Sequence, residues 1–453
     1  MQIDLSKIIE YINTYNYVKA EKELKELLDK APFSFELNKI MGVAQLGQRK
    51  YLKSLESFKN CLKKKTDDYQ VNLNLSFIYL KIQMHEESIK FCHKAIENDK
   101  NQVSAYQNLT ENYLLLGQYE EAESYANKAF EILGGIRSEK IQYYRELAIN
   151  YCDVLLAKND KDRLVNFIMG LLNEGIYISD LLKVLIREDA ALIKENYIKT
   201  INQKIAELMK VQNKIARNSG LASCYFLLAE YSEKNKQNNY ENFYFLANKH
   251  TSEIQRNSAF DRQKFYKWLI EKNDEMTLMS YEPQHQENDF IFICGMPRSG
   301  TTLVESILST SDDICNGGEK VFFDLYINDF FENFRTNRID QNYINFLSEN
   351  YLKSAHFHKK NSHQIFTDKM PANILYLAFI KKCFPNSRFI HCVRNPWDNA
   401  ISLFKHNYLN NLNYTSSFFR IATEYANYEN LVSIWKKSDK NNQILDINYQ
   451  DLI

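Results

Sequence analysis

DFIFICGMPRSGTTLVESILS, residues 289–309, decides the fold of the C-terminal part of this chain. Its first half is a short apolar run rich in β-forming residues. It runs to Gly295 and passes at once into GMPRSGTT and an apolar helical pattern. Strand, glycine-bounded loop, helix is the reading. Gly295 and Gly300 keep the four-residue gap of a phosphate-binding loop. The backbone N–H groups of such a loop, with the helix N-terminus behind them, aim at an anion. In the nucleotidase form a lysine follows the second glycine. Here Thr301 stands in that place, and Arg298 inside the loop supplies the cation. With no lysine to reach a γ-phosphate, and no convincing carboxylate after a strand, ATP hydrolysis and a nucleotide kinase are disfavoured. A donor with one phosphate ahead of its transferable group fits better.

Working outward, further strands read as QIFTDK (364–369), RFIHCVR (388–394) and QILDINY (443–449), with helical stretches between them. Alternation of this kind predicts a mainly parallel sheet covered on both faces, with ligands at the carboxyl ends of its strands. RFIHCVRNPWDNAIS is a second anion signal. Arg394 ends an apolar strand, Pro396 suits the first helical position, and Ser402 lies eight residues on, along the helix. An arginine fork and a hydroxyl can share one phosphate. The two signals together predict a nucleotide with phosphates at two places.

Before Asp289 the pattern is different. Over residues 1–136 a period of 34 holds: Tyr17, Tyr51, His85 and Tyr119 share a phase. Ala20, Ser54, Ser88 and Ala122 follow three residues later, and Leu27, Cys61, Ala95 and Ala129 ten residues later. Gly42, Ser76 and Thr110 recur in the first helix of each full unit. Small residues let two antiparallel helices touch, and each hairpin leaves an apolar side that the next must cover. Residues 145–156 read as a further first helix, 174–218 as helical but out of phase, and 221–250 as another hairpin. A helix over 261–273 follows, and SYEPQHQEN (280–288) reads as a linker. The expected architecture is an α-solenoid of helical hairpins over 1–275, followed by an α/β phosphate-loop domain over 289–453.

Composition sets the outer bounds. A chain of 453 residues calls for two or three domains, and only 12 glycines and 6 prolines predict many helices and few loops. Lys+Arg and Asp+Glu balance at 57 each, so no global field draws the protein to nucleic acid or a membrane surface. No basic segment followed by an apolar run opens the chain, and no stretch reaches about 18 uninterrupted apolar residues. Eight cysteines lie scattered without a CxxC pair, which predicts free thiols and a cytoplasmic location. The only histidine cluster, His356, His358 and His363, reads as a polar loop, and no metal is expected.

The pair GMPRSGTTLVES and VRNPWDNAIS resembles the 5′-phosphosulfate loop and 3′-phosphate motif of sulfotransferases that use 3′-phosphoadenosine 5′-phosphosulfate (PAPS). The 34-residue units resemble the tetratricopeptide repeat (TPR), so the whole is similar to the bacterial TPR–sulfotransferase proteins, and its catalytic half to the tyrosylprotein sulfotransferase branch. The resemblance implies PAPS as sulfuryl donor, held without a metal. It places the 5′-phosphosulfate on Arg298, Ser299, Gly300, Thr301 and Thr302, and the 3′-phosphate on Arg394 and Ser402. His406 stands where the tyrosylprotein branch carries a further arginine. By the same resemblance Glu319, after Gly317 and Gly318, is the base for the acceptor hydroxyl. Lys369, in the K-x-P motif of TDKMP, faces the bridging oxygen of the leaving phosphate with Arg298 assisting. Tyr449, in NYQDL, lies on or near the adenine.

Family members continue past the segment that here stops at Ile453, so the resemblance implies a domain shortened at its C-terminus. Repeats of this kind bind a protein or peptide on their concave face, which favours a peptide or protein acceptor; glycan, lipid and small-molecule hydroxyls also fit. The competing class is a catalytically impaired repeat scaffold that retains a nucleotide-binding loop.

Overall fold

The computed structural model describes residues 5–135, 139–174, 176, 179–188, 195–255, 262–278, 290–326, 341–356, 365–408, 412, 414–439 and 441–453. The sequence-derived linker 280–288, and His358 and His363, lie outside them. The chain packs as two compact units, Met1–Ile178 and Ser179–Ile453.

In the first unit helical hairpins follow one another. They are α1 (Ser6–Asn13) with α2 (Tyr17–Lys30), α3 (Phe35–Gly47) with α4 (Tyr51–Leu62), α5 (Tyr69–Lys81) with α6 (His85–Asn98), and α7 (Val103–Leu115) with α8 (Tyr119–Leu133). The aromatic slot of the sequence is the first residue of each second helix. The small slot is the contact: Ala20, Ser54, Ser88 and Ala122 are each fully buried. Ser54 Oγ donates to the Gly42 carbonyl at 2.7 Å, and one period on, Ser88 Oγ donates to the Ser76 carbonyl at 2.8 Å. A Cβ on Gly42 would stand 2.7 Å from the Phe58 ring. The turn between paired helices repeats too. Tyr15, Arg49, Gln83 and Gly117 all have positive φ (58°, 59°, 58° and 71°), two residues before the second helix. Asn159 (φ 55°) makes the same turn between α9 (Arg145–Ala157) and α10 (Lys161–Asn173). This is the fifth hairpin, displaced by a short 3-10 segment at Glu139–Tyr143.

The second unit begins with α11 (Ser179–Glu188), α12 (Glu195–Met209), α13 (Lys214–Lys234), α14 (Tyr240–Gln255) and α15 (Arg262–Leu278). The hairpin read at 221–250 is α13 with α14, and Ala247 at its contact is fully buried. Strands β1 (Phe290–Gly295), β2 (Ile314–Asn316), β3 (Ile365–Asp368), β4 (Arg388–Val393) and β5 (Ile444–Asn448) form one parallel sheet in the order β2-β3-β1-β4-β5. Between them lie α16 (Thr301–Leu308), α17 (Gln341–His356), α18 (Leu377–Cys383), α19 (Pro396–Phe404) and α20 (Phe418–Ser438).

Side chains alternate across β1, as a strand buried on both faces requires. Phe290 and Phe292 enter an aromatic layer, with Phe384 at 4.8 Å from the first ring and Phe389 at 5.4 Å from the second. Ile293 packs on the other face with Val304 of α16, Ile390 and Cys392.

The helices before the sheet are part of the same packing. Asn248 of α14 donates to the Phe404 carbonyl at the end of α19 (2.8 Å), and the Phe245 and Phe404 rings lie 5.2 Å apart. Lys405 pairs with Glu233 of α13. Tyr266 of α15 donates to Glu424 of α20 at 3.0 Å, both buried. All eight cysteines are buried, and none is in a disulfide. No helix among the described residues is long and apolar enough to cross a membrane.

Candidate active site

In a parallel sheet every strand ends on the same edge. All five strands here deliver to that edge one of the residues singled out in the sequence. Arg298 follows β1, Glu319 follows β2, Lys369 follows β3, Arg394 follows β4 and Tyr449 follows β5, the last three directly. β1 lies between β3 and β4, where successive connections leave in opposite directions and open a crevice.

The loop after β1 is shaped by its glycines. Gly295 has φ 154°, and a Cβ there would stand 2.7 Å from both the Cys392 carbonyl oxygen and Ser299 Oγ. Gly300 (φ 101°) caps α16, and a Cβ there would meet the Tyr449 ring at 2.5 Å. Arg298 itself adopts φ 71°, a conformation that costs a non-glycine residue of order 1 kcal/mol or more. It is held there by neighbours: its carbonyl accepts from Arg394 Nη1 at 2.9 Å and its Nε donates to Ser402 Oγ at 3.1 Å. Asn399 Nδ2 donates to the Pro297 carbonyl at 3.0 Å.

The two anion signals are therefore joined side by side. The Arg394 guanidinium also lies 4.6 Å from the centre of the Tyr449 ring. Ser299 is buried, and among the described residues neither its Oγ nor Arg394 Nε has a hydrogen-bond partner. A buried hydroxyl and a buried guanidinium N–H without acceptors are what a phosphate would satisfy. The donor set thus fits a phosphorylated ligand on chemistry, with the loop amides and the start of α16 beside it.

Across the loop, Lys369 Nζ donates to Glu319 Oε1 at 2.7 Å. Lys369 is buried, whereas the Glu319 side chain is 57 % exposed. The carboxylate thus faces solvent while anchored at one oxygen. The loop that carries it is tied to β3, because Gly317 N donates to the Thr367 carbonyl (3.0 Å) and Lys369 N to the Gly318 carbonyl (2.8 Å). Glu305 of α16, 4 % exposed, grips the same loop from the other side. Its Oε1 accepts from Gly318 N (3.1 Å) and Thr367 Oγ1 (3.0 Å).

Three further charged groups were not singled out from the sequence. Asp368, next to Lys369, is fully enclosed. Burial raises its carboxyl to about 7, although the Tyr351 hydroxyl donates to it at 2.8 Å and Lys320 acts against the rise. Burial lowers Lys320 to about 8, with Asp368 opposing. On the Arg298 side, Lys183 of α11 is lowered by burial and then by Arg187. His406 falls to about 4, first through burial and then through the charges of Arg298, Lys183 and Arg187. It is therefore a neutral imidazole at pH 7, where the resembling branch has a cation. Acidic and basic residues inside helices look alike in a sequence whether they are solvated or enclosed. That is why Glu305 and Lys183 carried no signal; Lys320 lies in the loop after β2, where a lysine reads as solvated.

Residues 289–453 match the model of the sulfotransferase family. Among curated proteins, one from Aquifex aeolicus (strain VF5), described only as uncharacterized, is 32 % identical over 136 residues. The match takes in 27 % of this chain and 18 % of that one. A Caenorhabditis briggsae protein named "Putative protein-tyrosine sulfotransferase" is 29 % identical over 115 residues, 23 % of this chain and 39 % of its own length. The chain thus spans less than half the length of either relative. Solved structures also align with it, among them the following two. MamA has TM-score 0.33 at 17 % identity, covering 38 % of this chain and 88 % of that one. A tetratricopeptide repeat protein from Parabacteroides merdae ATCC 43184 has TM-score 0.37 at 15 % identity, covering 59 % and 96 %.

Proposed function

We propose that the protein is a PAPS-dependent sulfotransferase that moves a sulfuryl group to a hydroxyl, with a protein or peptide acceptor bound by the repeats of the cytoplasmic chain. One observation carries the reading: the anion-seeking loop with its unpartnered Ser299 hydroxyl sits on the same strand edge as a solvent-facing carboxylate paired with a buried lysine.

PAPS, when bound, supplies a sulfonate on a phosphate that can leave as adenosine 3′,5′-bisphosphate. Ser299, Gly300, Thr301 and Thr302 bind the 5′ phosphosulfate through hydroxyls and backbone amides. Arg394 and Ser402 hold the 3′-phosphate, and Tyr449, already on the Arg394 guanidinium, walls the adenosine side. Glu319 takes the proton of the acceptor hydroxyl as that oxygen bonds to sulfur and the sulfur–oxygen bond to the phosphate breaks. General base help of this kind is worth about 3–5 kcal/mol. Lys369 and Arg298 neutralise the charge that gathers on the leaving phosphate oxygen. With the protein's own cations in these roles, the proposed mechanism calls for no metal ion.

The direct test is calorimetry with adenosine 3′,5′-bisphosphate, followed by transfer of labelled sulfate from PAPS to proteins captured on the repeats. ATP binding as tightly as the bisphosphate would overturn the reading. Nucleotide binding with no transfer to any hydroxyl acceptor would favour the impaired scaffold instead.

A further inference from the structure

Glu319 ends a segment whose backbone is tied on two sides. Residues 316–318 are Asn-Gly-Gly, and Gly318 has φ 65°. Gly317 has no room for a side chain, since a Cβ would stand 2.2 Å from the Thr367 carbonyl oxygen. A segment with two glycines packs no side chains of its own, so its position depends on backbone hydrogen bonds. Two of these bonds go to the β3 side, from Gly317 N to Thr367 and from Lys369 N to the Gly318 carbonyl. The third comes from the opposite side, where Gly318 N reaches Glu305 Oε1.

Glu305 lies one helical turn beyond Thr301, on the helix whose first residues end the phosphate-binding loop. Burying a carboxylate is costly unless it is paired or hydrogen-bonded. An apolar side chain would fill the same space between α16 and β3 at lower cost. The carboxylate instead spends one oxygen on two donors, the Gly318 amide and the Thr367 hydroxyl, which belong to the segments that carry Glu319 and Lys369. Burial raises the Glu305 carboxyl, and Thr367, Lys369 and the Gly318 amide pull it back down.

We propose that Glu305 is a positioning residue that couples the donor loop to the segment bearing Glu319, so that filling the loop with nucleotide steadies the base. The inference rests on the sulfuryl-transfer reading of the site. Its physical content is that α16 and the 316–319 segment move as one body through this carboxylate.

The test is hydrogen exchange of residues 314–320 in the full chain, with and without adenosine 3′,5′-bisphosphate, for the wild type, Glu305→Ala and Glu305→Gln. In the wild type the nucleotide should slow exchange of this segment. Without nucleotide, Glu305→Ala should exchange there about fivefold faster, somewhat less than one net hydrogen bond is worth, because Asn316 Oδ1 also accepts from Gly318 N at 3.0 Å. Nucleotide should then no longer protect the segment, although Glu305→Ala binds it within about threefold of wild type. Glu305→Gln keeps an acceptor oxygen for the same two donors and should restore the protection. Persistence of nucleotide protection in Glu305→Ala would overturn the proposal, and so would failure of Glu305→Gln to restore it. A wild type that binds no bisphosphate would sink the sulfuryl-transfer reading itself. The nucleotide-free comparison of the three proteins would still stand as a test of the Glu305 link.

Discussion

Glu319 follows β2 and Arg394 follows β4 on one edge of the sheet, and their surroundings suit them to different work. Glu319 is half in solvent and touches Lys369, so its removal leaves the loop after β1 intact. Arg394 braces that loop by donating to the Arg298 carbonyl, and among the described residues its buried Nε–H has no acceptor. Glu319→Ala should therefore abolish labelled-sulfate transfer while adenosine 3′,5′-bisphosphate binds nearly as before. Arg394→Ala should weaken that binding by about 2–4 kcal/mol, read by calorimetry. Equal losses of binding would contradict the assignments.

His406 offers a prediction in pH. Its folded value of about 4 lies below the ordinary 6.5, so the unfolded chain binds more protons between those values. By linkage, stability is retained above about 6.5 and is lost as pH falls from there toward 4. His406→Gln removes this dependence. Chemical unfolding at pH 5 and pH 7 should show a smaller acid loss in the variant than in the wild type. Parallel losses in the two proteins would contradict the placement of this imidazole among Arg298, Lys183 and Arg187.

At the scale of elements, what could be read beforehand depended on whether a constraint falls on side-chain type. The repeat hairpins were legible because a close helix contact admits only small residues, and Ala20, Ser54, Ser88 and Ala122 show them in phase. The turn beside each contact was not legible. Its left-handed residue is Tyr15, Arg49 or Gln83 in three units and a glycine, Gly117, only in the fourth. β1, β3, β4 and β5 were read from apolar runs bounded by turn residues. β2 was missed because three residues give no periodicity, although it is the strand that carries the chain to Glu319.

The loop after β1 was legible from its two glycines, and the structure gives each a separate reason. Gly300→Ala would impose a positive φ on alanine and drive its Cβ into the Tyr449 ring. The substitution should lower stability by about 1–3 kcal/mol in thermal unfolding. In a Tyr449→Ala background the steric share of that cost should vanish and the backbone share remain. Full additivity of the two substitutions would show that ring and glycine do not touch.

For the molecule as a whole, helices α11–α15 read as a continuation of the repeats, yet they pack with the sheet in the unit 179–453. A sequence pattern of apolar and small residues says that a hairpin must be covered but not by what, so this partition could not be read from periodicity. The contacts are specific and partly polar. Asn248 caps the Phe404 carbonyl, Lys405 pairs with Glu233, and Tyr266 satisfies the buried Glu424. The first two fall at the end of α19, the helix that positions Ser402 against Arg298. Stripping the helices away would leave a carboxylate and a set of aromatic rings uncovered, each costing on the order of 1–3 kcal/mol against a marginal total stability.

A fragment of residues 179–453 is therefore expected to melt cooperatively and to bind adenosine 3′,5′-bisphosphate within about threefold of the full chain. A fragment of residues 289–453, although it spans the whole family match, should show neither a cooperative melt nor that affinity. Calorimetry of the two fragments beside the full chain decides the matter. If 289–453 alone bound the nucleotide like the full chain, α11–α15 would be passengers on the sheet, and their contacts with α19 and α20 would play no part in shaping the donor site.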